Sequence, residues 1–457
     1  MVGRVFHVGV VQSTHKISGG AAAGFAAYLT SSSSRGDYYS EGESGLGRWH
    51  GSTGALGVLG LAPGAVVERD VLVALMRGVS PVDGEPLRAV GGGGSRVAGI
   101  DLTFSAPKSV SALWALSGAY RRAQIEAAHR GAVASALGRS EREVALVRRR
   151  VDGGLRWEHA RGVVAAEFVH TASRLTRDQE RGGVPDPQLH SHLVVLAAER
   201  VDGRFAAVDS RELFRAARVN GAWYRAELAW RLGELGLEVQ GHAGRDGRYF
   251  ELAGVPGELS ARWSARTADI DAAAQRFRSR YGRDPRAGEL GALTVATRGT
   301  KTLAAQVDVD AAWRAVGEEY ALSSDRAATL FADRPRHEQR PLGAELLARV
   351  TRDRSMVNGR DLQAHALELA AGAARPQEVA GVIAGLERAR ELVRLQGAMW
   401  TTRELRELEQ RTLATARERA HDGSHAVTRE LVGESATVAG RQLAGELSVG
   451  RSVRLRC

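Results

Sequence analysis

The arrangement of apolar and polar positions changes character along the chain. Residues 5–11 alternate as a strand does, with Val5, His7, Gly9 and Val11 on one face and Phe6, Val8 and Val10 on the other. Residues 20–28 carry a helical pattern that runs into a serine-rich stretch, residues 31–34, expected as a loop. Another helix is expected over 68–77, with glycine-rich connections around residues 42–47 and 91–95. The apolar run 100–104 predicts a strand, Pro107 a turn, and residues 109–116 and 121–137 two helices. Strands are expected at 144–150, 155–157 and 163–170, the first two joined by an Asp152-Gly153 hairpin turn. A further pair, 197–199 and 204–207, turns at Asp202-Gly203. From Ser210 onward the pattern is mostly helical, with a short β excursion at 237–239 and 249–252. From about residue 308 it is Ala/Glu/Arg-rich and helical, with little β signal. That change places the main domain boundary near residue 305.

One strand stands out. Pro185-Asp186-Pro187 cannot continue a helix, and the β-branched run after it reads as a buried strand carrying His190 and His192. Side chains alternate along a strand, so the two imidazoles share a face and could hold one metal ion. His170, at the end of the strand 163–170, is a candidate third ligand, and His159 is a rival. Either could instead be a histidine hydrogen-bonded to backbone. Three neutral imidazoles leave coordination positions open, as a catalytic metal requires.

Other residue types extend the picture. Asp101, at a strand start, could orient a ligand histidine or accept a proton. Lys108, Ser109 and Ser111 lie where a turn enters a helix, a position suited to phosphate contact and equally to a capped turn with an exposed lysine. Tyr28, Tyr38 and Tyr39 are nucleophile candidates, although a phenol with a pKa near ~10 needs a metal or cation beside it. No Gly-x-x-x-x-Gly-Lys-Ser/Thr stretch occurs, so no ATP site is expected.

Composition adds a little more. Sixty-three basic against fifty-three acidic residues give a net charge of +10, which suits a polyanionic partner such as nucleic acid. The bias toward arginine also fits a GC-rich genome. Trp49, Trp157 and Trp223 could stack on a single strand, though tryptophan more often fills cores. A single cysteine, Cys457, excludes an internal disulfide and a zinc site built from several thiolates. No apolar run approaches the length of a membrane span, and the chain reads as cytoplasmic.

Taken in order, these pieces resemble one family: conjugative relaxases of the TrwC/TraI type, HUH-class single-strand DNA endonucleases. The stretch Asp-Leu-Thr-Phe-Ser-Ala-Pro-Lys-Ser-Val-Ser from Asp101 is similar to that family's most recognisable motif. Asp-Pro-Gln-Leu-His-Ser-His from Asp186 resembles its metal motif, and His170 through Arg174 the segment with its third histidine. Ala26-Ala27-Tyr28 occupies the place of the catalytic tyrosine, and Asp37-Tyr38-Tyr39 is similar to a second tyrosine pair found in some members. The residues after Phe250, and those from Ala296 through Arg298 to Lys301, also look like relaxase elements.

The resemblance implies an α+β fold: a central antiparallel sheet flanked by helices, followed by a mainly helical segment. It implies a relaxase domain over residues 1–305 and a helicase-proximal remnant over 306–457, truncated before any helicase core. The implied chemistry is metal-assisted transesterification at a transfer origin. His170, His190 and His192 would hold Mg2+ or Mn2+, with Zn2+ an alternative. Tyr28 would form a 5′-phosphotyrosine link. The same resemblance implies DNA contacts by Lys108, Ser109, Ser111, Arg174, Arg298 and Lys301. Single-stranded DNA, relaxosome accessory proteins and a coupling protein with its type IV secretion system would be the partners. Two departures matter: twenty positions separate His170 from His190, as if a loop were inserted, and Leu29 replaces a tyrosine. A catalytically inactive single-stranded-DNA-binding module and a water-using metal nuclease are the competing expectations.

Overall fold

The structure, a computed structural model, describes residues 12–35, 47–87, 97–176, 179, 183–243, 249–297, 308–352 and 354–421. The strand expected at 5–11, the glycine run 91–95, and Tyr38, Tyr39, Arg298 and Lys301 lie outside these described residues.

The strands are β1 (Gln12–Ser18), β2 (Arg48–Gly51), β3 (Val97–Ser105), β4 (Leu146–Val151), β5 (Gly154–His159), β6 (Gly162–Ala172), β7 (Pro187–Glu199) and β8 (Phe205–Ala206). A central sheet runs β1-β3-β7-β6-β2, with β8 paired to β7, and every pairing is antiparallel. β4 and β5 form a separate two-stranded hairpin turning at Asp152-Gly153, where Asp152 takes a positive φ of 49°. β7 is longer than the sequence pattern suggests. Residues 197–199 continue it rather than starting a new strand, across an irregularity in its pairing with β6.

Helices cover both faces of the sheet, so β6 and β7 read as near-continuous apolar runs rather than alternating ones. On one face lie α1 (Ala22–Arg35), α2 (Thr53–Gly57) and α3 (Arg69–Arg77), whose Ala26, Leu29, Leu72 and Leu75 pack with Val164, Ala166, Phe168 and Val194. On the other lie α4 (Lys108–Leu116), α5 (Ala119–Glu143) and α6 (Ser210–Glu234), whose Leu113, Val133 and Leu228 pack with Leu102, Phe104, Val169 and Leu193. Each large apolar side chain buried in these layers contributes about 1.5–3 kcal/mol. The serine-rich stretch expected as a loop belongs to α1. Serine is only a modest helix former, but no glycine or proline stops the helix there. At the sheet edge Gly51 is required: with φ at 138°, a Cβ would meet the Val163 carbonyl oxygen at 1.9 Å.

Downstream come β9 (Val239–Ala243), β10 (Tyr249–Leu252), α7 (Gly257–Arg262), α8 (Ala265–Tyr281), α9 (Ala287–Ala296), α10 (Val309–Glu319), α11 (Ser324–Ala328) and α12 (Leu342–Val350). They are followed by β11 (Val357–Asn358), α13 (Gly359–Ala370), α14 (Val379–Arg388), β12 (Leu392–Leu395), β13 (Met399–Thr402) and α15 (Arg403–His421). The last three strands form a small sheet in the order β11-β13-β12, where the sequence suggested a mainly helical segment. Strands of two to four residues are too short to show a period of two. Described residues beyond 305 pack onto the α4–α6 layer. Trp313 of α10 meets Trp114 edge-on at 5.9 Å and donates its indole N–H to the Pro185 carbonyl at 2.9 Å. Arg122 pairs with Asp310 at 2.7 Å, and Arg218 of α6 with Asp361 of α13 at 2.6 Å. Among the described residues no helix is long and apolar enough to cross a membrane.

Candidate functional site

Register assembles the histidines. β6 and β7 pair so that His170 lies directly opposite His190, while β3 and β7 pair Thr103 with His192. Partners across a ladder share a face, and so do positions two apart. The three imidazoles therefore converge on the α1 face, with centroids 5.0–5.4 Å apart. One ring nitrogen from each lies within 4.8 Å of the other two. The twenty-residue separation is absorbed by a loop closed at its base, where the Ser173 N–H donates to the Asp186 carbonyl at 2.9 Å. His159 sits exposed on the β4–β5 hairpin and is not part of the cluster.

Hydrogen bonds set the ring orientations. His190 Nδ1 lies 2.8 Å from the Gln188 carbonyl oxygen, which can only accept, so the proton is on Nδ1 and the Nε2 lone pair is free for another partner. His192 Nδ1 lies 2.8 Å from Asp101 Oδ2 and donates to that carboxylate in the same way. Thr103 Oγ1 flanks this pair, 3.3 Å from Nδ1. Asp101 is buried, and its Oδ1 makes no hydrogen bond among the described residues. Burial, then the neighbouring His192, pushes His170 down to about 3, partly offset by a hydrogen bond to the Leu29 backbone. Burial and the two neighbouring histidines hold His190 well below the usual imidazole value. Both rings are thus neutral at physiological pH, the form that ligates metals. Donor set, tautomers and protonation state all fit a divalent ion.

Tyr28 reaches the same place from α1. Its ring stands nearly perpendicular to those of His170 and His192, at 5.7 and 6.1 Å between centroids. The Arg174 guanidinium lies over the Tyr28 ring at 5.3 Å. A phenol, three imidazoles and a cation are thereby gathered in one place.

Other expected site residues fall elsewhere. Lys108 is turned inward: its ammonium donates to the Pro187 carbonyl at 2.9 Å and to Gln188 Oε1 at 2.7 Å. Burial pushes its pKa down to about 8, against the opposing pull of Asp186 and Glu251. Ser109 and Ser111 are fully buried; Ser109 Oγ accepts from the Leu252 N–H at 2.9 Å and Ser111 Oγ from the Leu189 N–H at 3.0 Å. The polar atoms of these three are engaged inside the protein, Lys108 and Ser111 at the start of β7 and Ser109 at the end of β10. Trp49 and Trp223 are core residues, whereas Trp157 is exposed on β5. On that hairpin Arg148 faces Trp157 and Arg150 faces Leu155, giving a basic, partly aromatic face. The sequence reading missed Thr103 and Gln188, although their spacing from Asp101 and His190 was the available signal.

Known proteins share this arrangement of chain. The family model described as TrwC relaxase matches residues 22–320. The multifunctional conjugation protein TraI of Escherichia coli is 32% identical over 245 residues, covering 50% of this chain and 13% of that protein. TraI of strain K12 is likewise 32% identical over 248 residues, 51% of this chain and 13% of its own length. The chain thus spans only a small part of the curated relatives it matches. The copper-bound structure of conjugative relaxase TrwC with oriT DNA is 31% identical, with a TM-score of 0.57, covering 68% of this chain and 99% of that one. A metal-bound TrwC–oriT structure matches at 30% identity and a TM-score of 0.56 over the same shares. With that family model matching well over half its length, the chain belongs to the TrwC relaxase family.

Proposed function

We propose that this chain nicks and rejoins one DNA strand at a transfer origin through a covalent 5′-phosphotyrosine intermediate. The observation that carries this reading is the placement of Tyr28 against the His170–His190–His192 cluster. The phenol oxygen of Tyr28 attacks the scissile phosphorus and gives up its proton, the 3′-oxygen leaves and takes up a proton to become a 3′-hydroxyl, and the 5′-phosphate stays on the tyrosine. Return attack by a 3′-hydroxyl reverses the step, so rejoining needs no ATP. A divalent ion held by the three histidines would polarise the phosphate and stabilise its charge. Asp101 fixes the His192 tautomer so that Nε2 faces the cluster, and Arg174 supplies positive charge beside the phenol. Mg2+ or Mn2+ is the proposed ion, with Zn2+ an alternative that three imidazoles also suit.

Supporting the reading further, the solved TrwC structures similar to this chain are complexes with oriT DNA. The DNA partner proposed here is single-stranded DNA at a transfer origin, with relaxosome accessory proteins and a coupling protein acting beside it in the cytoplasm. The proposed division remains a relaxase domain over 1–305 followed by a helicase-proximal segment. Arg174, Arg298 and Lys301 are proposed DNA contacts, and Tyr38 and Tyr39 secondary nucleophiles.

The test uses the full chain, Mn2+ and single-stranded DNA from the transfer-origin region of the element that carries the gene. An SDS-resistant protein–DNA adduct that disappears in Tyr28→Phe is the expected result. Cleavage without any adduct would instead indicate attack by water, and binding without cleavage an inactive DNA-binding module.

A further inference from the structure

The sheet face opposite the histidines carries a second polar assembly. Between His190 and His192, Ser191 points to the other side, and it is the centre of a chain of buried hydrogen bonds. Its hydroxyl donates to Glu167 Oε1 at 2.6 Å. His129 Nε2 lies 2.8 Å from the same hydroxyl oxygen, and His129 Nδ1 lies 2.8 Å from the Tyr224 hydroxyl. The other Glu167 oxygen lies 2.7 Å from His50 Nε2. Glu167, Ser191, His129 and Tyr224 are fully buried, and His50 on the edge strand β2 is the one member that reaches solvent.

Proton placement along this chain follows from chemistry. Glu167 is held ionised against the opposing effect of its burial by His50, Ser191 and Arg130, so its oxygens can only accept. Ser191 has one proton and gives it to Glu167, so it must accept from His129 Nε2–H. Burial keeps His129 neutral, down to about 4, so its Nδ1 is an acceptor and Tyr224 donates to it. Every member has one role, and the direction runs from Tyr224 to Glu167. Nothing in the strand-transfer step uses these groups. A network this deep persists at a desolvation cost, which makes its location informative.

That location is directly behind the metal cluster. Ser191 is the β7 residue flanked by two ligands, and Glu167 lies on β6 three residues before the third. The hydrogen bond that Ser191 donates to Glu167 and the one it accepts from His129 therefore tie the two ligand-bearing strands to each other and to α5. The geometry points to Ser191, Glu167 and His129 as positioning residues that fix the mutual placement of His170, His190 and His192. This rests on the histidine cluster being a metal site.

The experiment titrates the metal-free chain of 457 residues with cobalt(II), whose visible absorption reports imidazole ligation. Ser191→Ala removes the central hydroxyl with little change in volume. It is expected to weaken cobalt binding by about tenfold or more, the range seen when partners of metal ligands are removed, and to alter the absorption band. Leu362→Ala, a core deletion in α13, serves as the comparison for lost stability alone and is expected to bind cobalt as the parent does. Equal affinities for parent and Ser191→Ala would overturn the inference. So would equal weakening in the two variants, because the effect would then be general loss of stability. A parent protein that binds no cobalt would overturn the metal reading itself.

Discussion

Asp101 illustrates how one carboxylate can be read from sequence as a type and only from structure as a role. Its place in the motif from Asp101 to Ser111 marked it as functional, while the choice between orienting a histidine and taking a proton stayed open. The 2.8 Å contact to His192 Nδ1 supplies the orienting partner. Asp101→Asn is expected to weaken divalent-metal binding by about 10–100-fold, measurable by calorimetric titration, and binding at parental strength would rule out that role. The direction in which Lys108 points was not legible, for a general reason. A lysine at a turn entering a helix has the same sequence appearance whether its ammonium faces solvent or the Pro187 carbonyl. Histidine protonation gives a second test. Burial holds His129 down to about 4 and His170 down to about 3, against 6.5 for a free imidazole. Between those values the unfolded chain binds protons that the folded chain does not, so stability is full above pH 6.5 and is lost as pH falls toward 4 and then 3. The melting temperature of the metal-free protein should decline across that window, with a shallower slope in His129→Gln. Identical slopes in the two proteins would contradict the assignment.

Most elements were legible where a segment was long and its period clear: the helices over α5 and α6, the hairpin at Asp152-Gly153, and the histidine strand. Extent was less legible. The continuation of β7 past Leu196 depends on neighbours that cover it, and sequence does not display neighbours. The short strands β11, β12 and β13 had no periodicity to detect. Convergence of His170 with His190 was not derivable either, because strand register spans a loop whose length says nothing about pairing. The β4–β5 hairpin carries its own expectation. Its Arg148 and Arg150 are exposed on the face that carries Trp157, and Arg156 is exposed on the opposite face. Changing the three arginines to alanine should lower DNA affinity and reduce the slope of log K against log salt by about 2–3. Fluorescence anisotropy across a salt series measures this, and an unchanged slope would place the DNA elsewhere.

Across the whole molecule, the compositional boundary near residue 305 does not coincide with a gap in packing. Trp313 is buried between Trp114 and the Pro185 carbonyl, at the entry to the histidine strand. Removing a buried tryptophan costs about 3–5 kcal/mol. A fragment ending at residue 305 should therefore melt several degrees below one ending at residue 421, and Trp313→Ala in the longer protein should reproduce most of that loss. Equal melting temperatures for the two fragments would show that the downstream segment lends no stability.

The direct opposition of His170 and His190 also sets a rule for inherited changes in chain length. A deletion of one residue inside β6 or β7 turns every later side chain of that strand to the other face and scatters the histidines. Between Ser173 and Asp186 the parity of the count does not matter, since the hydrogen bond at the loop's base resets it. Length variation among natural versions of this gene should accordingly collect in that interval, in odd and even steps alike, and be purged a few residues to either side.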